Sequence, residues 1–261
     1  MRRLSFMLAA LTLTLGGAQA ASAQAIREGF VSTPMPRGDD NYAPSDYGFD
    51  INYHGFHSDA GVVCTNGYVI LNFYVPSSDA CAYPGSTAAN PPATPNLSGL
   101  RDFYGNVLAP FYSDLRTDFP TNPGGAILLG NGLVDGRQAW AATWDGVRGY
   151  SGSGNVFFQA VLISLNALGD FRLEFNYNSL AWAAEGGIGF TSDNPPQVLT
   201  LGTNTRPQNS RLSCDFIGGS SQGCSLVTVT PEPASLVLIA SGLVGIFGVG
   251  SYRRRRAALA A

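Results

Sequence analysis

Residues 155–192, NVFFQAVLISLNALGDFRLEFNYNSLAWAAEGGIGFTS, decide the fold class. Phe171, Leu173, Phe175 and Tyr177 alternate with Arg172, Glu174 and Asn176, the period of two of a half-buried strand. Val156 to Ile163 is almost continuously apolar, so that strand is expected to be covered on both faces. Asn166-Ala167-Leu168-Gly169 between them has the length and composition of a hairpin loop. Upstream, Gln138, Trp140, Ala142 and Trp144 alternate with Arg137, Ala139, Ala141 and Thr143. None of these runs repeats its apolar residues at spacings of three and four, as a helix would. The expected class is all-β, an antiparallel sandwich.

Working outward, Gly61 to Tyr74 reads as strand, turn, strand, with Asn66-Gly67 as the turn signal. Gly124 to Val134 reads as a strand pair broken near Gly130-Asn131-Gly132, and Asp135-Gly136 turns the chain into the Trp140 strand. Pro76 to Gly99 collects Pro, Ser, Ala, Asn and Gly, a long surface loop and the expected place for partner specificity. Residues 24–46 are polar and turn-rich and read as an extended leader before a domain spanning 47–228. Within that leader, Arg37-Gly38-Asp39 spells R-G-D, a match of three residues that carries little weight.

Four motifs in family order resemble the nidogen-like domain. The first is Ala109-Pro110-Phe111-Tyr112-Ser113-Asp114, an A-P-F-x-x-D segment. Trp144-Asp145-Gly146-Val147 follows as W-x-x-V, then Phe158-Gln159-Ala160-Val161-Leu162 as F-Q-x-x-L. The fourth is Gly169 to Tyr177, a G-D-F-x-x-x-F-N-Y strand containing Phe175, Asn176 and Tyr177, with Trp182 after it. Weaker similarity reaches back to about residue 44 through TNGYVILNF (residues 65–73), where the resemblance would place Asn66-Gly67 just inside the second strand. The resemblance implies an extracellular module associated with matrix and adhesion proteins, with no known catalytic chemistry. Its motif residues are read as structural, Asp114 as capping a loop or bonding backbone amides.

Both ends of the chain read as addresses. Arg2 and Arg3 precede an apolar run from Leu4 to Leu15, and Ala21-Ser22-Ala23 gives the small-x-small pattern of signal-peptidase cleavage. Residues 1–23 are therefore expected to be a signal peptide with a short apolar helix, and the mature chain to begin near Gln24. At the other end Pro231-Glu232-Pro233 precedes the uncharged run 234–252 and then Arg253, Arg254, Arg255 and Arg256. About nineteen such residues are enough to cross a bilayer as a transmembrane helix, with the Arg cluster held in the cytoplasm. On charge and length alone a permanent anchor remains the alternative. The order of features in residues 229–261 resembles the PEP-CTERM sorting signal. That resemblance implies processing near the P-E-P by an exosortase, a membrane-embedded cysteine-type transpeptidase. It also implies a Gram-negative host that exports a polysaccharide-rich matrix, with only transient contact with the inner membrane.

All fifteen basic residues are Arg. Between Gln24 and Thr230 nine remain, against seventeen acids, a balance of about −8. An acidic body argues against binding nucleic acid through bulk charge. It leaves room for Ca²⁺, but no D-x-[DN]-x-[DN]-G loop is present, so no cofactor is expected. His54 and His57, the only histidines, lack a third ligand and read as surface residues.

Cys64, Cys81, Cys214 and Cys224 fit an oxidising compartment and allow three pairings. The sequence-local one, 64–81 with 214–224, is preferred, each bridge contributing about 3 kcal/mol in the chain-entropy model. Gly219-Ser220-Ser221-Gln222-Gly223 spells G-x-S-x-G but sits among turn residues with no His downstream, so it does not read as a nucleophile elbow. Asp114 and Asp118 stand four apart in a turn and need not share a cleft.

The expected function is non-catalytic: a secreted or cell-surface protein that binds matrix protein or exopolysaccharide. The alternative is a carbohydrate-binding module using loop aromatics such as Tyr83, Tyr104 or Tyr150. Asn96-Leu97-Ser98 is the sole N-x-S/T site.

Overall fold

A computed structural model describes residues 25–71, 81, 96–119, 125–151, 154–181, 187–203 and 207–229. The expected signal peptide with Ala21, Ala23 and Gln24, most of the expected long loop including Tyr83, Trp182, and the expected sorting signal from Pro231 to Arg256 lie outside them. Among the described residues no helix is long and apolar enough to cross a membrane. The residues 25–228 form one compact unit.

Among the described residues fourteen strands and one helix follow in order: β1 (Val31–Pro34), β2 (Tyr42–Tyr53), β3 (Phe56–Cys64), β4 (Tyr68–Ile70), α1 (Leu97–Tyr104), β5 (Val107–Tyr112), β6 (Leu115–Arg116), β7 (Ala126–Val134), β8 (Arg137–Gly149), β9 (Asn155–Ser164), β10 (Phe171–Leu180), β11 (Gly187–Asp193), β12 (Pro196–Thr203), β13 (Ser210–Ile217) and β14 (Ser220–Thr228). They form two antiparallel sheets. One runs β1-β7-β8-β9-β10-β13-β14, with β6 beside β8, and the other runs β12-β11-β5-β4-β3-β2. The all-β sandwich is therefore the observed architecture.

The alternating runs face as their period requires. Trp140, Ala142, Trp144, Phe158, Leu162, Phe171, Leu173 and Phe175 enter the core between the sheets. Trp144 stacks on Phe158 at 4.8 Å, and Phe171 on Phe216 at 4.7 Å. Burying a side chain of this size stabilises by about 2–3 kcal/mol. Val161 and Ile163 point the other way and join Val134, Ala139 and Ala141 in an outer apolar patch covered by Phe30. β9 is thus covered on both faces, as its continuous apolar run predicts. Cys64 bonds Cys81 and Cys214 bonds Cys224, the sequence-local pairing.

Three expectations are corrected. The fold does not begin near Tyr47, because residues 25–46 carry an arm along the eight-stranded sheet, then β1, then the first part of β2. Both strands are sheet edges that keep one side in water, so their sequences are polar and contain Pro34 and Pro44. The surface loop does not extend to Gly99. Asn96 caps α1 by accepting a hydrogen bond from the Ser98 N–H at 2.9 Å, and Leu97 and Leu100 are buried. β7 is not broken at Gly130 and Gly132 but runs through them. There β1 and its approach cross so closely that a Cβ on Gly130 would lie 2.7 Å from Ser32 Cα, and one on Gly132 2.7 Å from the Gly29 carbonyl oxygen. These glycines admit a neighbouring backbone.

Candidate functional site

Of the motif residues, Pro110, Phe111, Trp144, Phe158 and Tyr177 meet around the turn between β3 and β4. Tyr177 donates its hydroxyl to the Pro110 carbonyl at 2.7 Å. Pro110 has no N–H to give its neighbour β11, and the register of that pair shifts between Gly187 and Gly189 beside it. The Trp144 indole donates to the Thr65 carbonyl at 3.1 Å. Gly67, at φ +80°, lies so close to Phe111 that a Cβ would come within 2.8 Å of the Phe111 carbonyl carbon. Ala109, Phe111, Phe158 and Phe175 supply apolar surface. The motif therefore specifies a packed junction, and the turn stands at Thr65-Asn66-Gly67, ahead of β4.

Asn66 is the hub of that junction, and the sequence marked it only as a turn residue. Its side chain is fully buried. Its amide nitrogen donates to Asp40 Oδ1 at 2.6 Å and to the Cys81 carbonyl at 2.9 Å. Its amide oxygen accepts from the Leu115 N–H at 2.8 Å. One side chain thus ties together the segment before β2, the disulfide that tethers the long loop, and β6.

Around this hub lies an acidic corner. Burial, reinforced by Asp39 and Asp40, pushes the Asp114 carboxyl up to about 6, with Arg116 opposing. Burial first and Asp40 second also raise Asp39. Arg116 stands 3.7 Å from Asp39 and grips Asp118 at 2.7 and 3.0 Å, which holds the Asp118 carboxyl below its ordinary range. The same guanidinium lies over Phe119 at 4.8 Å and Tyr150 at 5.6 Å, and Tyr150 is 53% exposed. The sequence has Asp114 capping a loop or bonding backbone amides. Instead its carboxylate takes no hydrogen bond among the described residues, and its carbonyl accepts from the Tyr150 N–H at 2.9 Å. Asp118 is committed to Arg116, so the two carboxylates have separate roles.

Other features named from the sequence fall elsewhere. Asp39 of R-G-D is engaged with Arg116 through both backbone and side chain, so the tripeptide is not displayed as a free loop. His54 packs its ring against Tyr53 and Phe216, while His57 pairs with Asp50 at 2.5 Å. Gly219 to Gly223 leads from a turn into β14, between antiparallel strands and not from strand to helix. Among the described residues no group of three or more His, Cys, Asp or Glu is placed to hold a metal ion. Tyr104 is not a loop residue but the last residue of α1, packed on Tyr68 with ring centroids 5.8 Å apart, which leaves Tyr150 as the more exposed of the two.

A second polar site lies on the outer face of the eight-stranded sheet, where Ala25–Phe30 runs as an arm. Gln159 accepts from the Arg27 N–H at 3.0 Å and donates to its carbonyl at 3.1 Å. Arg27 forms a two-pronged pair with Glu174 at 2.6 and 2.8 Å, and Glu174 is 2% exposed. Asn178 accepts from the Ala25 N–H at 2.9 Å, and Arg211 donates to the Ala25 carbonyl at 3.1 Å and to Asn176 at 2.8 Å. The Gln and Asn of the F-Q-x-x-L and F-N-Y motifs are therefore the side chains that hold the arm or its partner Arg211. No family model, curated protein or solved structure matches this chain.

Proposed function

We propose that this is a non-catalytic extracellular interaction module, exported by its signal peptide and processed at its PEP-CTERM-like tail by an exosortase. Its partner is matrix protein or exopolysaccharide at the surface of a Gram-negative cell. One observation carries the reading: the nidogen-like motif residues spend their polar groups on the scaffold, Tyr177 on Pro110, Trp144 on Thr65 and Gln159 on the arm. Residues so used build a rigid frame and leave recognition to the loops. The two disulfides agree with an oxidising compartment.

The binding end is the acidic corner, where Asn66 ties the tethered loop to Asp40 and where Tyr150 and Arg116 are displayed. The test is retention of the purified chain on exopolysaccharide and on matrix protein from its host. Retention that falls at least about tenfold in Asn66→Ala, with the fold intact, supports the reading. No retention on either material removes it.

A carbohydrate-binding module is the second reading, and the exposed Tyr150 ring beside Arg116 favours it. Glycan-array binding abolished by Tyr150→Ala would select it over protein adhesion.

A further inference from the structure

We propose that the outer face of the eight-stranded sheet is a peptide-binding track that accepts the Ala25–Phe30 arm of a second copy as well as its own, so that copies link by exchanging arms. The track reads backbone and side chain together. Gln159 bonds both polar backbone groups of Arg27, buried Glu174 selects the guanidinium, and the Val161 and Ile163 patch seats Phe30. The residues that hydrogen-bond the arm lie between 132 and 186 positions away in sequence. Recognition therefore owes nothing to the local chain, and the same contacts form when the arm belongs to another molecule.

The link between arm and body is also weak. Gly29 sits at φ +92° with nothing within 4 Å of where a Cβ would stand, all four residues of β1 are exposed, and β1 pairs only with β7. Firm anchoring begins at Met35, which is buried and bonded to the Ile127 carbonyl. Ten residues can thus leave without opening the core. Exchange of an identical element is a low-cost route to association. The covalent link gives the resident arm the higher effective concentration, so exchange belongs to crowded conditions such as a cell surface.

The test uses charge-swapped full chains exported with their own leader. Arg27→Glu sets an acidic arm against Glu174, and Glu174→Arg sets a basic arm against a basic track. Each arm is then repelled at home and matched on the other variant. Tagged R27E is expected to retain untagged E174R at least about tenfold more than it retains untagged R27E. Equal retention, with both variants folded by circular dichroism, would overturn the proposal. Should either variant fail to fold, tagged and untagged wild-type chains are refolded together at high concentration. Recovery of the untagged copy that drops at least about tenfold when both carry Arg27→Ala is the expected result. Absent recovery, or recovery that R27A leaves unchanged, refutes exchange.

Discussion

Arg27 and Glu174, 147 residues apart, meet in a two-pronged ion pair that joins the N-terminal arm to the middle of the eight-stranded sheet. Arg211 stands 3.4 Å from the same carboxylate. The Glu174 hydrogen bond raises the Arg27 guanidinium above its ordinary value, so Arg27 stays charged at any ordinary pH. Removing one member of a buried pair leaves the other poorly compensated. Arg27→Ala is expected to lower stability by about 3 kcal/mol in urea unfolding and to expose the arm to endoproteinases. A loss within about 0.5 kcal/mol would mean that the arm contributes little to the fold.

Two glycines with nearly the same backbone angle should respond differently to the same change. Gly67 (φ +80°) faces the Phe111 backbone, whereas Gly136 (φ +77°) has nothing within 4 Å of where a Cβ would stand. Gly136→Ala therefore meets only the left-handed backbone cost, about 1 kcal/mol. Gly67→Ala adds a collision with backbone that cannot yield, and a loss of about 3 kcal/mol or failure to fold is expected. Thermal unfolding of the two variants side by side measures the difference.

Asp114 gives the acidic corner a pH dependence of definite sign. Its carboxyl titrates near 6 in the fold against 3.8 for the free group, so the folded chain binds the proton more tightly than the unfolded one. Its contribution is most favourable below pH 4 and is lost as the pH rises toward 6. Asp114→Asn should therefore stabilise the protein at pH 7–8 by about 1 kcal/mol, discounted for the solvent reaching the group, with the gain vanishing near pH 4. Urea midpoints of both proteins between pH 4 and 8 provide the check.

Asn66→Ala strips partners from Asp40, the Cys81 carbonyl and the buried Leu115 N–H together. An orphaned buried donor alone costs about 1–3 kcal/mol, so a loss of about 3 kcal/mol is expected by chemical denaturation. Asn66→Asp keeps the acceptor for Leu115 but sets a second carboxylate against Asp40. It should recover part of that loss at pH 4 and little of it at pH 8.

The central strands were legible because period two is a local property. Trp140 to Trp144 and Phe171 to Tyr177 alternate within a few residues and send their large apolar side chains into the core, but the strands are not half-buried as period two implies, because Ala139, Ala141, Glu174 and Asn176 on the outer face are buried as well. Edge strands lack that signal, since β1 has four exposed residues and the first part of β2 keeps one side wet. Helix α1 is eight residues long with Ser98 and Gly99 in its first turn, too short and too flexible in composition to stand out. Gly130 and Gly132 read as punctuation because glycine marks both turns and close backbone crossings, and only the partner strand distinguishes them. The arm had one available signal: Ala139, Ala141, Val161 and Ile163 make the outer face apolar, which requires a cover. Nothing local said that residues 25–30 would supply it. The Asn66 hub was equally silent, because its partners lie up to 49 positions away.

The most direct measurement is the intact mass of the chain recovered from the extracellular matrix fraction of its own host. A species beginning near Gln24 and ending near Pro231, held by the matrix and released only when the matrix is dissolved, is the expected result. A species that keeps Arg253 to Arg256 and is found in the inner membrane would contradict it, and the sandwich would then face the periplasm as an anchored domain.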